Sequence, residues 1–141
     1  PGSRSLGKSQ GVCEYRAEVP GFQCTPSETS SPELIRESGR EADIVFAAGA
    51  AGIELLTEGW MSEAAAPAVV IDLNAVPPAG IFGVSVTDQG EKRNKTVCYG
   101  AIGVGGLKMK IHKHAIKQLF QSNEFILETE ETYRLGVDLN N

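Results

Sequence analysis

At 141 residues, 41% of them hydrophobic, the chain has the length and apolar content of one domain, and its formal net charge of −5 offers no basic field for nucleic acid. No run of about 18 apolar residues is present to span a membrane and the opening residues are not a secretory leader, so a cytoplasmic protein is expected. Three cysteines, Cys13, Cys24 and Cys98, are odd in number and lack CxxC spacing, which predicts reduced thiols rather than a disulfide framework or a zinc site.

The first residues read as the middle of a domain. Gly2-Ser3-Arg4-Ser5, followed by Leu6 and Lys8, looks like the turn out of a strand, and a guanidinium flanked by two hydroxyls suits a phosphate. A short strand is expected at 22–25, after the Pro20-Gly21 turn. Ser31 as N-cap with Pro32 at the first helical position predicts a helix over 33–40. Residues 43–49 then form a run that is apolar on both faces, as a central parallel strand is when helices cover each side. Its carboxyl end, Ala47-Ala48-Gly49-Ala50-Ala51-Gly52, carries only small groups, so a flat ring or ribose could lie against backbone. The same run also suits a tight strand-to-helix turn.

Helical segments are expected near 53–58 and 60–65, and a second double-sided apolar strand over 68–74, which ends on Asp72 and Asn74. Asn74 can both donate and accept, while Asp72 is placed to hold the following loop. Prolines 77 and 78 make 75–80 a stiff crossing loop. Residues 81–86 are a short apolar segment, 88–95 a charged exposed turn, and 96–101 the next strand. Apolar strands alternating with helices predict an α/β fold: a Rossmann-type, doubly wound, mainly parallel sheet, here without its first strand and glycine loop. In such folds the end of the second strand meets the adenosine ribose, and an arginine there accommodates a 2′-phosphate. With Ser3, Arg4 and Ser5 at that position and no carboxylate, NADP is the expected cofactor and NAD the alternative.

Gly103, Gly105 and Gly106 suggest a strand-to-helix turn, with a helix from Leu107 to Phe120. At about 100° per residue, Lys110, Lys113, His114 and Lys117 gather on one arc, whereas Lys108 falls among Ile111, Ala115 and Leu119, with His112 beside it. Lys108 therefore either snorkels along the apolar arc or lines a cleft. The two histidines point to nearly opposite sides of the helix, so no shared metal is expected. Residues 128–139 predict a short acidic helix packed on its predecessor. Gly103-Val104-Gly105 begins like GxGxxG, but Lys108 stands where the last glycine belongs, and no acidic strand end follows about 20 residues later. No P-loop is present either.

Taken together, the blocks GSRSLGKSQ, ADIVFAAGAAGIELL, IDLNAVPPAGIFGV and YGAIGVGGLKMKIHKHAIKQLF resemble the NAD(P)-dependent methylene-tetrahydromethanopterin dehydrogenases. The resemblance implies an incomplete cofactor domain at 1–103 and, at 104–141, helices closing the cleft toward an N-terminal domain outside the chain. It implies that Ser3 and Arg4 face the adenosine ribose, that Ala48, Gly49 and Asn74 lie along the nicotinamide, and that Lys108 stands in the catalytic cleft. The implied reaction moves a hydride from the methylene carbon of a tetrahydromethanopterin one-carbon derivative to C4 of the nicotinamide, within a homo-oligomeric enzyme. It also implies that the isolated chain, holding half the cleft, does not turn over. Because the methenyl product is cationic, Lys108 is expected to act at a distance, on a pterin carbonyl or partly neutralised by burial. A methylene-tetrahydrofolate-type or other small-substrate dehydrogenase, and a non-catalytic nucleotide-binding module, are the competing readings; fold alone does not separate them.

Overall fold

A computed structural model describes residues 1–17, 19–62, 66–122, 124 and 126–139. The chain divides into two compact units, Pro1–Ala101 and the residues from Ile102 onward. In the first, β1 (Gly2–Ser3) turns into α1 (Leu6–Arg16) and pairs in parallel with β2 (Ser27–Glu28). α1 buries only Ser9 and Cys13, which lie four residues apart and so on one face. Ser9 Oγ donates to the Pro1 carbonyl and accepts the Ser27 N–H at 3.0 Å, joining both strands through one hydroxyl.

Cys13 is bonded to Cys24, with Cα atoms 5.2 Å apart, which corrects the expectation of reduced thiols. Turns closed by Val19 N–H to the Arg16 carbonyl and Phe22 N–H to the Val19 carbonyl fold the chain back over α1 and bring the two cysteines together. On the loop-entropy account, closing so short a loop is worth about 3 kcal/mol. Cys98 is a free, buried thiol. The strand expected at 22–25 does not form, because that stretch is held in the turns and the disulfide. Pairing begins at Ser27, whose N–H reaches the Pro1 carbonyl at 3.1 Å, and continues with Thr29 N–H to the Ser3 carbonyl at 2.8 Å.

α2 (Pro32–Gly39) starts where its signals place it, with Ser31 Oγ accepting the Leu34 N–H at 3.4 Å. The main sheet follows, in the order β3 (Ile44–Ala47), β4 (Val69–Asp72), β6 (Thr96–Tyr99), β5 (Gln89–Arg93). β3, β4 and β6 are parallel, and β5 is antiparallel to β6. The strand over 43–49 was expected to be central, yet β3 is an edge strand here, with Ile44 and Phe46 53% and 62% exposed. Its other face, with Val70 and Cys98, builds a core with Ala47, Leu56, Trp60, Ile81 and Val84.

Two further expectations are corrected. Residues 53–58 are not helical: Leu56 bridges Ile81 in parallel, and only a short 3-10 turn forms at Trp60–Ser62, residues 63–65 lying outside the described residues. Burying Leu56 and Trp60 in the core outweighs the weak helix propensity of so short a stretch. The charged stretch 88–95 is not a loop but carries β5, hairpinned to β6 through Asn94, whose φ is 54°. An edge strand needs no apolar alternation, and its charges discourage pairing with another chain.

Asp88 anchors that hairpin. Arg93 donates two hydrogen bonds to its carboxylate, at 2.6 and 3.0 Å, and Ser85 N–H a third at 2.8 Å. Burial raises the cost of the Asp88 charge, but Arg93 and the Ser85 N–H outweigh it and hold the carboxyl below its ordinary 3.8. A lowered pKa stabilises the fold above the unfolded value, a contribution lost as pH falls through the folded value. Asp88→Asn should therefore cost about 1.5 kcal/mol at neutral pH. In urea titrations, the gap between wild type and variant should close as the pH is taken well below 4; a gap independent of pH would exclude the ion pair as its source.

The second unit continues α3 (Ala101–Leu119) and adds α4 (Thr129–Asp138). α3 starts at Ala101, so Gly103, Gly105 and Gly106 lie inside the helix and are not the turn expected before Leu107. Each helical glycine costs about 1 kcal/mol relative to alanine, and Val104 and Leu107 beside them carry the apolar arc of the helix back toward its start. α4 opens on a capping box, Glu128 N–H donating to Glu131 Oε2 at 3.2 Å. It comes so close to α3 that a Cβ on Gly136 would stand 2.9 Å from Ile111 Cδ1.

Candidate functional site

Parallel pairing brings three carboxyl ends to one edge of the sheet. Ala47 is level with Asp72 and Ile71 with Tyr99, so the chain leaves through Ala48-Gly49, Leu73-Asn74 and Gly100 side by side. The Leu73 N–H to the Ala47 carbonyl, 3.0 Å, carries the pairing past the strand ends. Ala48 and Gly49 are exposed, which leaves their backbone open to a ligand.

Asp72 and Asn74 are both buried, and their polar atoms face the proline loop. Asp72 accepts the Asn74 N–H at 2.9 Å on Oδ1 and the Ile81 N–H at 3.0 Å on Oδ2. Asn74 accepts the Val76 N–H at 3.0 Å and donates from Nδ2 to the Pro78 carbonyl, also at 3.0 Å. The two side chains thus clasp 75–81 at both ends, with a cis bond between Pro77 and Pro78 inside. Gly80 is needed there because a Cβ would lie 2.8 Å from Asp72 Oδ1. Asp72 thus holds the following loop as its place at the strand end predicts, an aspartate two residues before Asn74 being the signal of an Asx-type turn.

Ser3, Arg4 and Ser5 occupy the turn between β1 and α1. Arg4 is exposed and makes no ion pair among the described residues. Ser5 is the N-cap of α1, but its hydroxyl caps no helical N–H, so it too is free to accept or donate. The β1–β2 pair and the four-stranded sheet share no hydrogen-bonded strand.

In the second unit an apolar groove of about 530 Å³ runs along α3 and onto the chain before α4, lined by Leu107, Ile111, Ala115, Leu119 and Leu127. Lys108 and His112 also line it. Lys108 is exposed, and Lys110, Lys113 and Lys117 are exposed outside the groove lining. Another hollow, about 320 Å³, lies at the opposite, amino ends of β3 and β4 between Arg40, Asp43, Pro67 and Lys95; its mixed charges define no ligand.

These features define an α/β protein with a parallel sheet whose strand ends offer backbone and small side chains along one edge. The chain is 36% identical over 137 residues, 96% of its length, to the bifunctional protein MdtA of Methylorubrum extorquens, of which it spans 47%. It is 33% identical over 111 residues, 77% of its length, to the NAD(P)-dependent methylenetetrahydromethanopterin dehydrogenase of the same organism, of which it spans 37%. The chain thus spans less than half of each of these relatives and is a distant relative of that dehydrogenase. No protein-family model matches it. Among the described residues no helix is long and apolar enough to cross a membrane.

Proposed function

We propose that the chain is the nucleotide-binding part of an NADP-dependent oxidoreductase that oxidises a methylene-tetrahydromethanopterin to its methenyl form. The identity to the dehydrogenase along 77% of the chain carries this reading. Strand order supports it. The parallel pair β2–β1 and the parallel run β3–β4–β6 correspond to the outer strands of the two halves of a doubly wound sheet, with the strand between β1 and β3 supplied from elsewhere in the protein. Residues 1–103 would then be the cofactor part, and 104–141 the helices that meet the pterin domain.

The side chains present fit the cofactor on two counts. The exposed guanidinium of Arg4 and the hydroxyls of Ser3 and Ser5 would hold the 2′-phosphate at the start of α1, where helix N–H groups also favour negative charge. Ala48 and Gly49 would let the nicotinamide lie on backbone, while Asn74, through the loop it holds, would keep the edge in shape. The bound nicotinamide supplies the hydride acceptor. Lys108, exposed and lining an apolar groove of ligand size, would hold a carbonyl of the pterin, away from the carbon that becomes cationic. Such a reaction depends on positioning more than on acid-base exchange.

The test is hydride transfer in the intact protein. Formation of the methenyl product with NADP+ is expected, and Lys108→Met should lower kcat about tenfold, one factor of ten for each ~1.4 kcal/mol of lost positioning. NADP+ affinity should hold in that variant. Lys113→Met, on the same helix but outside the groove lining, should be silent. Equal turnover in the two variants, with equal melting temperatures, would return Lys108 to a snorkelling stem.

A further inference from the structure

α1 is held to its strands by unusually little. It buries Ser9 and Cys13, while Leu6, Val12 and Tyr15 are 41%, 49% and 77% exposed. Among the described residues two fastenings remain: the Ser9 hydroxyl, which bridges Pro1 and Ser27, and the Cys13–Cys24 bond. Neither cysteine belongs to the core built from Ala47, Leu56, Trp60, Val70, Ile81, Val84 and Cys98. Breaking the bond therefore frees one end of α1 and leaves the main sheet packed. Cys24 is only half-buried, so a small thiol can reach its sulfur.

We propose that the Cys13–Cys24 pair is a reversible thiol–disulfide switch that fastens and releases α1 together with the loop leading into β2. In the closing direction two thiols lose two electrons and two protons to a low-molecular-weight disulfide such as glutathione disulfide, which leaves as two thiols. A dithiol reverses the exchange and is itself oxidised to a disulfide. Because Ser5, the N-cap of α1, adjoins Arg4, loosening the helix also loosens the turn assigned above to the 2′-phosphate. That consequence rests on the cofactor reading; the switch itself does not.

The experiment compares the intact protein after dithiothreitol and after glutathione disulfide, by peptide-resolved maleimide labelling and hydrogen exchange. On reduction, Cys13 and Cys24 should take the label while buried Cys98 stays unlabelled, and amides in 6–28 should exchange about tenfold faster, those of β4 and β6 being unchanged. Glutathione disulfide should restore slow exchange, and Cys24→Ser should show fast exchange in both conditions. Equal exchange in 6–28 before and after reduction, or thiols that stay labelled after glutathione disulfide, would overturn the switch. NADP+ titrations of the same samples should show weaker binding when reduced. Unchanged affinity in Arg4→Ala would overturn the cofactor reading alone, leaving the labelling and exchange results to decide the switch.

Discussion

Arg4→Ala in the intact protein should lower kcat/KM for NADP+ about thirtyfold and leave that for NAD+ within about twofold, the loss of a charge-assisted pair worth roughly 2 kcal/mol. Arg4 follows a two-residue strand, is exposed, and has no carboxylate partner among the described residues, so its guanidinium is available to an anion. Two hydroxyls flank it, Ser3 half-buried and Ser5 exposed at the helix start. No acidic side chain stands in this turn to bind a free 2′-hydroxyl or repel a phosphate. Arg4→Lys should recover only part of the loss, because an ammonium cannot reproduce the two parallel N–H bonds of a guanidinium. Steady-state kinetics with both cofactors decides the matter: a parallel loss with NADP+ and NAD+ would mean that Arg4 supports the turn without touching the phosphate.

Asp72→Ala should lower the stability of the first unit by about 3 kcal/mol. Asp72 is 2% exposed, and both carboxylate oxygens accept backbone N–H groups, from Asn74 and from Ile81. Truncation leaves two buried donors without partners and opens space beside Gly80, whose backbone is pressed against the carboxylate. Asp72→Asn keeps one acceptor but turns an amide N–H toward a backbone N–H, so it should recover less than half of the loss. Asn74→Ala should cost about 1 kcal/mol, since its two bonds hold only the loop. Urea denaturation followed by tryptophan emission reports on this region directly, because Trp60 packs in the same core. If Asp72→Ala melted like wild type, the carboxylate would not be what closes the sheet edge.

What the amino-acid sequence determined by itself lies where a signal and its effect are close together in the chain. Ser31 and Pro32 start α2 because a cap and a fixed φ act within one turn. The apolar runs over 43–49, 68–74 and 96–101 are legible as strands because each is short and apolar between turn signals, whereas the edge position of β3 cannot be read from its own residues. Lys108 is placed on the apolar arc by the helical repeat alone, and it lines the groove beside Ile111 and Ala115. The remaining elements depend on partners remote in the chain, which no local signal announces. β5 is a strand through its pairing with β6, though its own residues read as a polar loop. Residues 53–58 stay out of a helix because Leu56 finds Ile81. Cys13 meets Cys24 only after the intervening turns fold back, and Asp72 becomes a clasp only when Gly80 and Ile81 return to it. Backbone propensity is a matter of tenths of a kcal/mol per residue, whereas burying a large side chain or satisfying a buried carboxylate is worth about 1–3 kcal/mol, so wherever the two disagreed the long-range contact prevailed.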